Sequence, residues 1–525
     1  MIASFLSTRG GSYGVSFEEA VLQGLAPDGG LFVPESIPSL PCDWNNWVDL
    51  SFEELAFEIL TLYIPSTEIP HQFLKAIIHQ AYASFRVPDV TPTITLDNER
   101  KIHLLELFHG PTFAFKDIAL QFFGNLLEFF LERRNQTLQK AGQDREHYVV
   151  VGATSGDTGS AGIEGLRGKK DVSVFVLFPT GRVSSVQEAQ MTTVPDANVH
   201  CLSVDGTFDD CQGLLKGLFA DRSAMAPFNL TSINSINVSR ILAQVTFYFA
   251  SYFSLVRSGK FNPSSDQIKF SVPTGNFGDI LAGFLAKRMG LPISQLIVAT
   301  NENDILHRFW QTGTYEKLKS TGSNTHAGAV KETMSPAMDV LISSNFERLL
   351  WFLAYDVYGS EVDGEREKLQ VASSMVRQWQ AALKSEDRFS VEQKMLNAAR
   401  AEFSSQRVSD AETLATIHDV YQWTGLKHYV LDPHSAIGVT AAIRSAEAAP
   451  SFHHVALSTA HPAKFSHAVE LALSEEQGFL FSDILPPQLS VLEKLPRRVI
   501  HVKRRDGLDG VRKIIMEEVG KVTKT

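Results

Sequence analysis

The chain has 525 residues, enough for two or three domains, and its 44% hydrophobic and 20% charged residues are typical of a globular protein. A formal net charge of -11 argues against nucleic acid as the main partner, because phosphate backbones bind to basic surfaces. The three cysteines lack CxxC spacing and fit neither a disulfide framework nor a zinc site. We therefore expect a cytoplasmic protein that binds no metal.

The first part of the chain, residues 1–95, is predicted to form a mostly helical unit. Two of its segments, 16–26 and 51–64, begin with serine and carry glutamates in the first turn, which is typical of a helix start. The segment 71–85 is a third predicted helix.

From residue 101 onward, short β-rich runs alternate with helical segments. This alternation predicts parallel sheets that are covered by helices on both faces. Because the region is too long for one sheet, we expect a smaller α/β domain at 96–240 and a larger one at 241–525, with a helical insertion at about 346–425. The predicted strands are 101–107, 147–153, 172–178, 200–204, 268–273, 296–300, 428–431 and 453–458.

The most apolar long segment, 241–256, is too short to span a membrane and contains several polar residues. We therefore predict that it forms a buried helix. No membrane partner is expected for the chain.

The segment HGPTFAFKD (109–117) places a lone lysine, Lys116, directly before an apolar helix. Apolar residues recur in pairs four residues apart from Asp117 onward, so most of this helix should be buried. Burial and the helix dipole both disfavour the ammonium form, and they lower the pKa of Lys116. A partly neutral lysine is a nucleophile for a carbonyl group. The alternative is an ordinary lysine that reaches solvent from a helix start.

A loop with the sequence TSGDTGS (154–160) follows the predicted strand 147–153 and leads into a helix. Glycines let the backbone approach a ligand, and the amides at a helix start bind anions. The glycine spacing matches neither the dinucleotide motif nor a Walker loop. The loop is thus either an anion site or a capped turn.

A second loop, PTGNFGD (273–279), connects another strand to a helix. Its glycines and the helix start can hold one phosphate with backbone N–H groups. The loop contains no lysine, which favours a monophosphate over a triphosphate. The alternative is a tight connection in which Asp279 caps the helix.

A third loop, STAHPAKF (458–465), follows the last predicted strand. Thr459 either contacts a ligand or caps a helix, and Lys464 either meets an anion or faces solvent. Together the three loops and Lys116 fit pyridoxal 5'-phosphate. That cofactor requires an amine for its aldehyde, a nest for its phosphate and a seat for the carboxylate of an amino acid.

These segments resemble the threonine synthase family, in particular its longer fungal and bacterial type. The resemblance covers essentially the whole chain and extends to NSIN (234–237), MSPAMDVLISSNFERLLW (334–351) and LDPHSAIGV (431–439). It implies a fold-type II pyridoxal-phosphate enzyme, a lyase of threonine biosynthesis. The implied reaction converts O-phospho-L-homoserine and water to L-threonine and phosphate.

The resemblance also implies roles for individual residues. Lys116 would form an aldimine with the cofactor and later transfer protons on the substrate. The other implied cofactor contacts are Gly275, Asn276, Phe277, Gly278, Asp279 and, beside the pyridine nitrogen, Thr459. The loop residues that would face the substrate are Thr154, Ser155, Asp157 and Thr158.

The substrate phosphate needs a cationic partner, for which we favour Arg240 and Lys464. The sequence does not choose between these two and the other basic residues near the motifs, which are Arg167, Lys169, Arg182 and Arg348. Two functional alternatives stay open. One is a related phospho-lyase that releases 2-oxobutyrate and phosphate, and the other is an inactive relative that senses a phosphorylated amino acid, against which the retained Lys116 argues. The sequence does not indicate the oligomeric state.

Overall fold

Strands and helices alternate along most of the computed structural model, which describes residues 4–221, 225–226, 228–317, 330–423 and 428–522. The strands are β1 (Phe5–Ser7), β2 (Phe32–Pro34), β3 (Thr93–Asp97), β4 (Ile102–Glu106), β5 (Tyr148–Ala153), β6 (Val172–Pro179), β7 (Val199–Val204), β8 (Asn229–Ser232), β9 (Ile268–Pro273), β10 (Ile293–Thr300), β11 (Thr314–Glu316), β12 (Arg388–Ser390), β13 (Phe403–Arg407), β14 (His453–Ser458) and β15 (Ile500–Val502). The helices are α1 (Phe17–Gln23), α2 (Phe52–Thr61), α3 (His71–Tyr82), α4 (Lys116–Lys140), α5 (Asp157–Leu166), α6 (Ser185–Thr192), α7 (Phe208–Ala220), α8 (Val238–Arg257), α9 (Gly278–Met289), α10 (Ile305–Thr312), α11 (Phe346–Gly359), α12 (Glu365–Glu386), α13 (Gln393–Glu402), α14 (Asp410–Gln422), α15 (Pro433–Ala448), α16 (Ser466–Ala472), α17 (Pro487–Ser490) and α18 (Gly507–Val522).

The three predicted N-terminal helices are present as α1, α2 and α3. Ser16 and Ser51 cap the first two in reciprocal capping boxes with Glu19 and Glu54, so the predicted helix starts are confirmed. The strands β1 and β2 add an antiparallel pair to this region. The helices α2 and α3 bury their apolar faces against α8 and α4, respectively.

Two main sheets form the body of the molecule. The larger sheet has the strand order β13-β10-β9-β14-β4-β3 and is parallel except for the β3–β4 pair. The smaller sheet has the order β15-β7-β6-β5-β8 and is parallel throughout. The strands β5, β6 and β7 are buried along their whole length, as parallel strands between two helical layers are. The predicted α/β fold class is thus confirmed.

The strand pairing crosses the segments that we assigned to the two domains. The strands β3 and β4 lie at the start of the chain's α/β region but pair within the larger sheet. The strand β15 lies near the end of the chain but pairs with β7 in the smaller sheet. The division at 1–95, 96–240 and 241–525 stays a prediction. Each sheet contains strands from both sides of the predicted boundary between residues 240 and 241.

One of the predicted strands is absent. Residues 428–431 form a turn and an irregular segment instead of a strand, because His428 has a φ of +61° in the left-handed region. The helical insertion 346–425 contains α11 to α14 but also β12 and β13. The strand β13 lies at the edge of the larger sheet, where only its Phe403 is fully buried. Its sequence therefore shows little of the hydrophobic alternation from which a strand is predicted.

The apolar segment 241–256 lies within α8, where nearly every side chain is buried, as predicted. In the part of the chain that the structure describes, none of the helices has both the length and the apolar character that a membrane span requires.

Candidate active site

A cavity of about 1840 Å³ lies where the carboxyl ends of strands from both sheets meet. The loops after β4, β9 and β14 of the larger sheet line it together with the loops after β5 and β8 of the smaller sheet. The predicted site residues on its wall are Lys116, Thr154, Ser155, Asp157, Thr158, Arg240, Gly275, Asn276, Gly278, Asp279 and Thr459. The structure thus brings together three loops that are distant in the sequence.

A rigid turn sets the position of Lys116, which is the first residue of α4. The amide and the hydroxyl of Thr112 donate to the Asp117 carboxylate at 2.8 and 2.6 Å. Arg86 donates to two backbone carbonyls of the turn at 2.6 and 2.7 Å, and its guanidinium lies 3.5 Å from the centre of the Phe113 ring. The turn before Lys116 is therefore held by charged groups on both sides.

Burial lowers the pKa of Lys116, as predicted. Asp157 opposes this effect and raises the pKa, since its Oδ2 lies 3.8 Å from the lysine Nζ. The nearby cations of Lys464 and Arg240 lower the pKa further, and Asp279 raises it. Groups from several loops therefore act on the charge of Lys116, and their combined effect with burial is a lowered pKa.

The TSGDTGS loop is shaped by Thr154, whose hydroxyl accepts hydrogen bonds from the amides of Gly156 and Gly159 at 2.9 and 3.0 Å. Ser155 and Thr158 are half-buried and line the cavity. The helix α5 begins directly at the loop, so its free amides point toward the cavity end of the sheet. Thr154 thus supports the loop, while its neighbours are available to a ligand.

Asp157, the first residue of α5, is a buried carboxylate. Its Oδ1 lies 2.6 Å from Lys464 Nζ and accepts a hydrogen bond from Gln187 Nε2 at 2.8 Å. Burial by itself raises the pKa of Asp157, but Lys464, Lys116 and these hydrogen bonds outweigh it and hold the pKa well below its ordinary value. Asp157 is therefore an anion in this site.

The PTGNFGD loop fits a phosphate group. Phe277 precedes α9 with a φ of +63°, and its ring packs 5.5 Å from the ring of Phe346, away from the cavity. A Cβ atom at Gly275 would lie 3.1 Å from the Ala337 carbonyl oxygen, which is a tight contact and favours glycine at this position. Within the described residues, the amides of 275–278 donate to no protein group. These free amides at a helix start form a nest for an anion.

Phe277 itself does not line the cavity, so its implied contact with a cofactor is confined to its backbone. Asp279 lines the cavity, and burial raises the pKa of its carboxyl to about 6. One of its oxygens accepts a hydrogen bond from the Ile280 amide at 2.9 Å. Asp279 is the second residue of α9, whose N-cap position is Phe277 without a side-chain cap, so the capping alternative is not supported and its carboxyl group lies on the cavity wall.

Thr459 follows β14 and is held by its backbone. Its amide donates to the Ser435 hydroxyl at 3.1 Å, and its carbonyl accepts from the Phe115 amide at 2.8 Å. The latter bond ties Thr459 to the residue before Lys116. The Thr459 side chain lines the cavity and is free to contact a bound group.

Lys464 occupies a different place from the one that the sequence suggested. It is fully buried and is not among the described residues that line the cavity. Its Nζ donates to the Thr112 carbonyl at 2.9 Å and pairs with Asp157. A direct contact between Lys464 and a substrate phosphate is therefore not supported by this geometry.

Arg240, in the first turn of α8, lines the cavity and is buried. Its Nη1 donates to the Ile233 carbonyl at 2.8 Å, and its Nε has no partner in the described chain. Burial lowers the pKa of Arg240 to about 10, which leaves it a cation at neutral pH. The neighbouring Asn234 and Gln244 each have a buried side-chain oxygen without a described partner. The Arg240 Nε is therefore a buried donor that is available to a bound group.

Gln244 was not predicted as a site residue, although it is one of the polar residues that interrupt the apolar segment 241–256. The other basic candidates are less suited to bind a substrate phosphate. Arg348 is fully buried and donates to two backbone carbonyls, and Arg167 and Lys169 pair with carboxylates away from the cavity. Arg182 lies at the exposed mouth of the cavity, 3.5 Å from Glu332.

Comparisons with known proteins identify the family. The model "Threonine synthase N terminus" matches residues 4–82, "Pyridoxal-phosphate dependent enzyme" matches 87–350, and "Threonine synthase, C-terminal" matches 435–515. The chain is 53% identical to threonine synthase of Schizosaccharomyces pombe, over 92% of each chain. It is 49% identical to that of Saccharomyces cerevisiae, over 99% of this chain and 98% of the relative.

Solved structures agree with this result. The crystal structure of threonine synthase from yeast superposes with a TM-score of 0.90 and 49% identity, covering 99% of each chain. The PLP-bound threonine synthase from Brucella melitensis gives a TM-score of 0.83 at 39% identity, covering 98% of this chain and 99% of that one. The predicted family, activity and cofactor are confirmed. The chain belongs to the threonine synthase family of pyridoxal-phosphate-dependent lyases.

Proposed function

We propose that the cavity described above converts O-phospho-L-homoserine and water to L-threonine and phosphate, with Lys116 as the residue that binds the cofactor aldehyde. The observation that carries this proposal is the position of Lys116. It is the first residue of α4, it lines the cavity, and burial and two nearby cations lower the pKa of its amine. A neutral amine at this position is the nucleophile that the cofactor requires.

The free amides of 275–278 and the helix start behind them would hold the cofactor phosphate. The residues that would surround the cofactor are Lys116, Gly275, Asn276, Phe277, Gly278, Asp279 and Thr459. Pyridoxal phosphate, when bound, supplies an electron sink that acidifies the substrate Cα–H bond. The Thr459 hydroxyl would leave the pyridine nitrogen unprotonated, whereas a carboxylate in its place would keep that nitrogen protonated and strengthen the sink.

Two groups of residues would bind the substrate. The first is the start of α5, where Ser155, Thr158 and the free amides suit the substrate carboxylate. The second is Arg240, whose unpartnered Nε and buried charge suit the substrate phosphate. Together they would place the Cα atom of the substrate near Lys116, between the two sheets.

Lys116 would transfer the protons of the reaction when its nitrogen is not bonded to the cofactor. As an amine it would take the proton from Cα and then move protons at Cβ and Cγ, so that phosphate leaves from Cγ and water adds at Cβ. The carboxylates of Asp157 and Asp279 would stabilise the ammonium that forms after each uptake. The buried walls of the cavity would exclude other water molecules until the last step.

We also propose a cytoplasmic location and no nucleic-acid partner. The support is the net charge of -11 and three free cysteines, two of them buried, which suit a reducing compartment. Labelled protein in fractionated cells tests the location.

The test of the function is the visible absorbance of the purified protein, wild type and Lys116→Ala, before and after addition of O-phospho-L-homoserine. We expect a visible band that the substitution abolishes, and equal amounts of threonine and phosphate from the wild type. Phosphate with 2-oxobutyrate would show the phospho-lyase reaction instead. A band that persists in Lys116→Ala would refute the role of Lys116.

A further inference from the structure

Lys464 is the second buried lysine near Lys116, and no part of the proposed reaction uses it. Its side chain has 0% exposure, and its ammonium contacts the Asp157 carboxylate at 2.6 Å and the Thr112 carbonyl at 2.9 Å. A buried ammonium is costly unless it is paired and hydrogen-bonded, so both contacts are needed to keep it there.

The contacts of Lys464 join three loops. Lys464 follows β14, Thr112 belongs to the turn after β4, and Asp157 belongs to the loop after β5. The first two strands are in the larger sheet and the third is in the smaller one. One ammonium group therefore ties the loop of the smaller sheet to the turn that carries Lys116.

The helix α6 reinforces the same two acceptors. Gln187 donates to Oδ1 of Asp157 at 2.8 Å, and Gln190 donates to the Thr112 carbonyl at 3.0 Å. Oδ1 of Asp157 is thus occupied by Lys464 and Gln187, while Oδ2 faces Lys116 at 3.8 Å. Lys464 and Gln187 thus hold one oxygen of the carboxylate, and the other oxygen lies beyond hydrogen-bond distance of Lys116.

We propose that Lys464 is a positioning residue, which holds the Asp157 carboxylate in competition with Lys116 and, together with its own charge, lowers the proton affinity of the Lys116 amine. The proposal rests on the proposed role of Lys116 as the reactive lysine. The charged groups that act on Lys116 are Asp157, Lys464, Arg240 and Asp279. Asp117 also lies close enough to Lys464 to interact with it.

The two partners have opposite effects on Lys116. Without the Lys464 charge, Lys116 loses a nearby cation and Asp157 loses its competing partner, so the pKa of Lys116 rises. Without the Asp157 charge, Lys116 loses its closest anion and Lys464 stays as an unpaired cation, so the pKa of Lys116 falls. A purely structural role for the pair would not move the pKa of Lys116 in opposite directions.

The experiment is competitive labelling of lysines with acetic anhydride in the full-length, cofactor-free protein between pH 6 and 11, read by peptide mass spectrometry. Lys464→Met is expected to move the labelling profile of Lys116 to higher pH. At a pH below the pKa, labelling should then be about tenfold slower for every pH unit by which the profile moves, because only the amine reacts. Asp157→Asn is expected to move the profile to lower pH. An unchanged profile in a folded Lys464→Met variant overturns the proposal.

The matched control is Lys287→Met. Lys287 also pairs with a carboxylate, Glu402, at 2.7 Å and donates to a backbone carbonyl at 3.1 Å, but it lies outside the cavity. Its loss should leave the Lys116 profile unchanged, and an equally large movement of the profile in this control would also overturn the proposal.

If Lys464→Met does not fold, the double variant Lys464→Met/Asp157→Asn is used in its place. The double variant removes both charges of the buried pair, so neither partner is left unpaired. Compared with Asp157→Asn alone, its Lys116 profile should lie at higher pH, and equal profiles would overturn the proposal. A wild-type Lys116 that labels like an ordinary surface lysine would refute its proposed reactivity instead. The two failures are therefore distinguishable.

Discussion

The packing of α4 on α5 provides a test of how the fold sets the distance between Lys116 and Asp157. These two residues are the first residues of their helices. The helices cross at Gly124 and Gly165, so closely that a Cβ atom on Gly124 would lie 1.9 Å from the Gly165 carbonyl oxygen. Gly124→Ala must move the helices apart by at least 1.1 Å, because real Cβ contacts are not shorter than 3.0 Å.

The expected effect on stability is a difference of two terms. Alanine gains about 1 kcal/mol over glycine in the interior of a helix, while overpacking a tight contact costs about 1–3 kcal/mol. Because the clash is with a backbone carbonyl, which cannot rotate away, we expect the upper part of that range and a net loss of about 1–2 kcal/mol.

The expected effect on activity follows from the same separation. If it reaches the helix ends, the 3.8 Å between Lys116 and Asp157 becomes about 5 Å. With an effective dielectric constant of about 20, the attraction weakens by about 1 kcal/mol, which corresponds to roughly a fivefold lower kcat/KM.

The control is Gly213→Ala, in the middle of α7, where a Cβ atom would meet nothing within 4 Å. It should raise the free energy of unfolding by about 1 kcal/mol and leave kcat/KM unchanged. The measurements are urea unfolding and initial rates for both variants. If Gly124→Ala is stabilised like Gly213→Ala, the close crossing is wrong. If it is destabilised but fully active, the crossing does not set the site.

Substitutions at three further residues test other parts of the site and of the larger sheet. Arg240→Met should raise the KM for O-phospho-L-homoserine by about tenfold or more in initial-rate assays, because a charged hydrogen bond to phosphate is lost, and an unchanged KM would exclude this role. Thr459→Asp should shift the visible band of the bound cofactor, while Thr459→Ser should not. Burial and the adjacent His453 lower the pKa of His103 to about 3, so its contribution to the free energy of unfolding is complete above pH 6.5 and is lost as the pH falls toward 3. In urea unfolding, His103→Gln should therefore lose less stability than the wild type between pH 6.5 and 3, and an equal loss in both proteins would contradict this prediction.

Local signals explain what could be predicted from the sequence. Ser16 and Ser51 bond to glutamates only three residues away, so their helix starts can be read from a few letters. The position of Lys116 at a helix start can also be predicted from nearby residues, because the apolar spacing that follows it is regular. The glycine loops can be recognised in the sequence because their ability to bind an anion depends on residues that are adjacent in the chain.

Long-range contacts explain what could not be predicted. The role of Lys464 depends on Thr112 and Asp157, which are 352 and 307 positions away in the chain, and nothing in the segment around Lys464 indicates that it faces inward. The strand β13 takes its place from hydrogen bonds with β10 and has no hydrophobic pattern of its own. The ring of Phe277 points into the core because of a positive φ that its sequence does not require.

The balance of buried charge explains how a chain with a net charge of -11 can attract two phosphates into one cavity. Lys464 neutralises Asp157, and the raised pKa of Asp279, about 6, shows how weakly this site stabilises a second carboxylate. Arg240 has no carboxylate partner among the described residues and keeps its positive charge. The wall of the cavity carries carboxylates as well as cations, so an uncompensated positive charge is confined to the surroundings of Arg240, and a substrate phosphate bound there would pair with it.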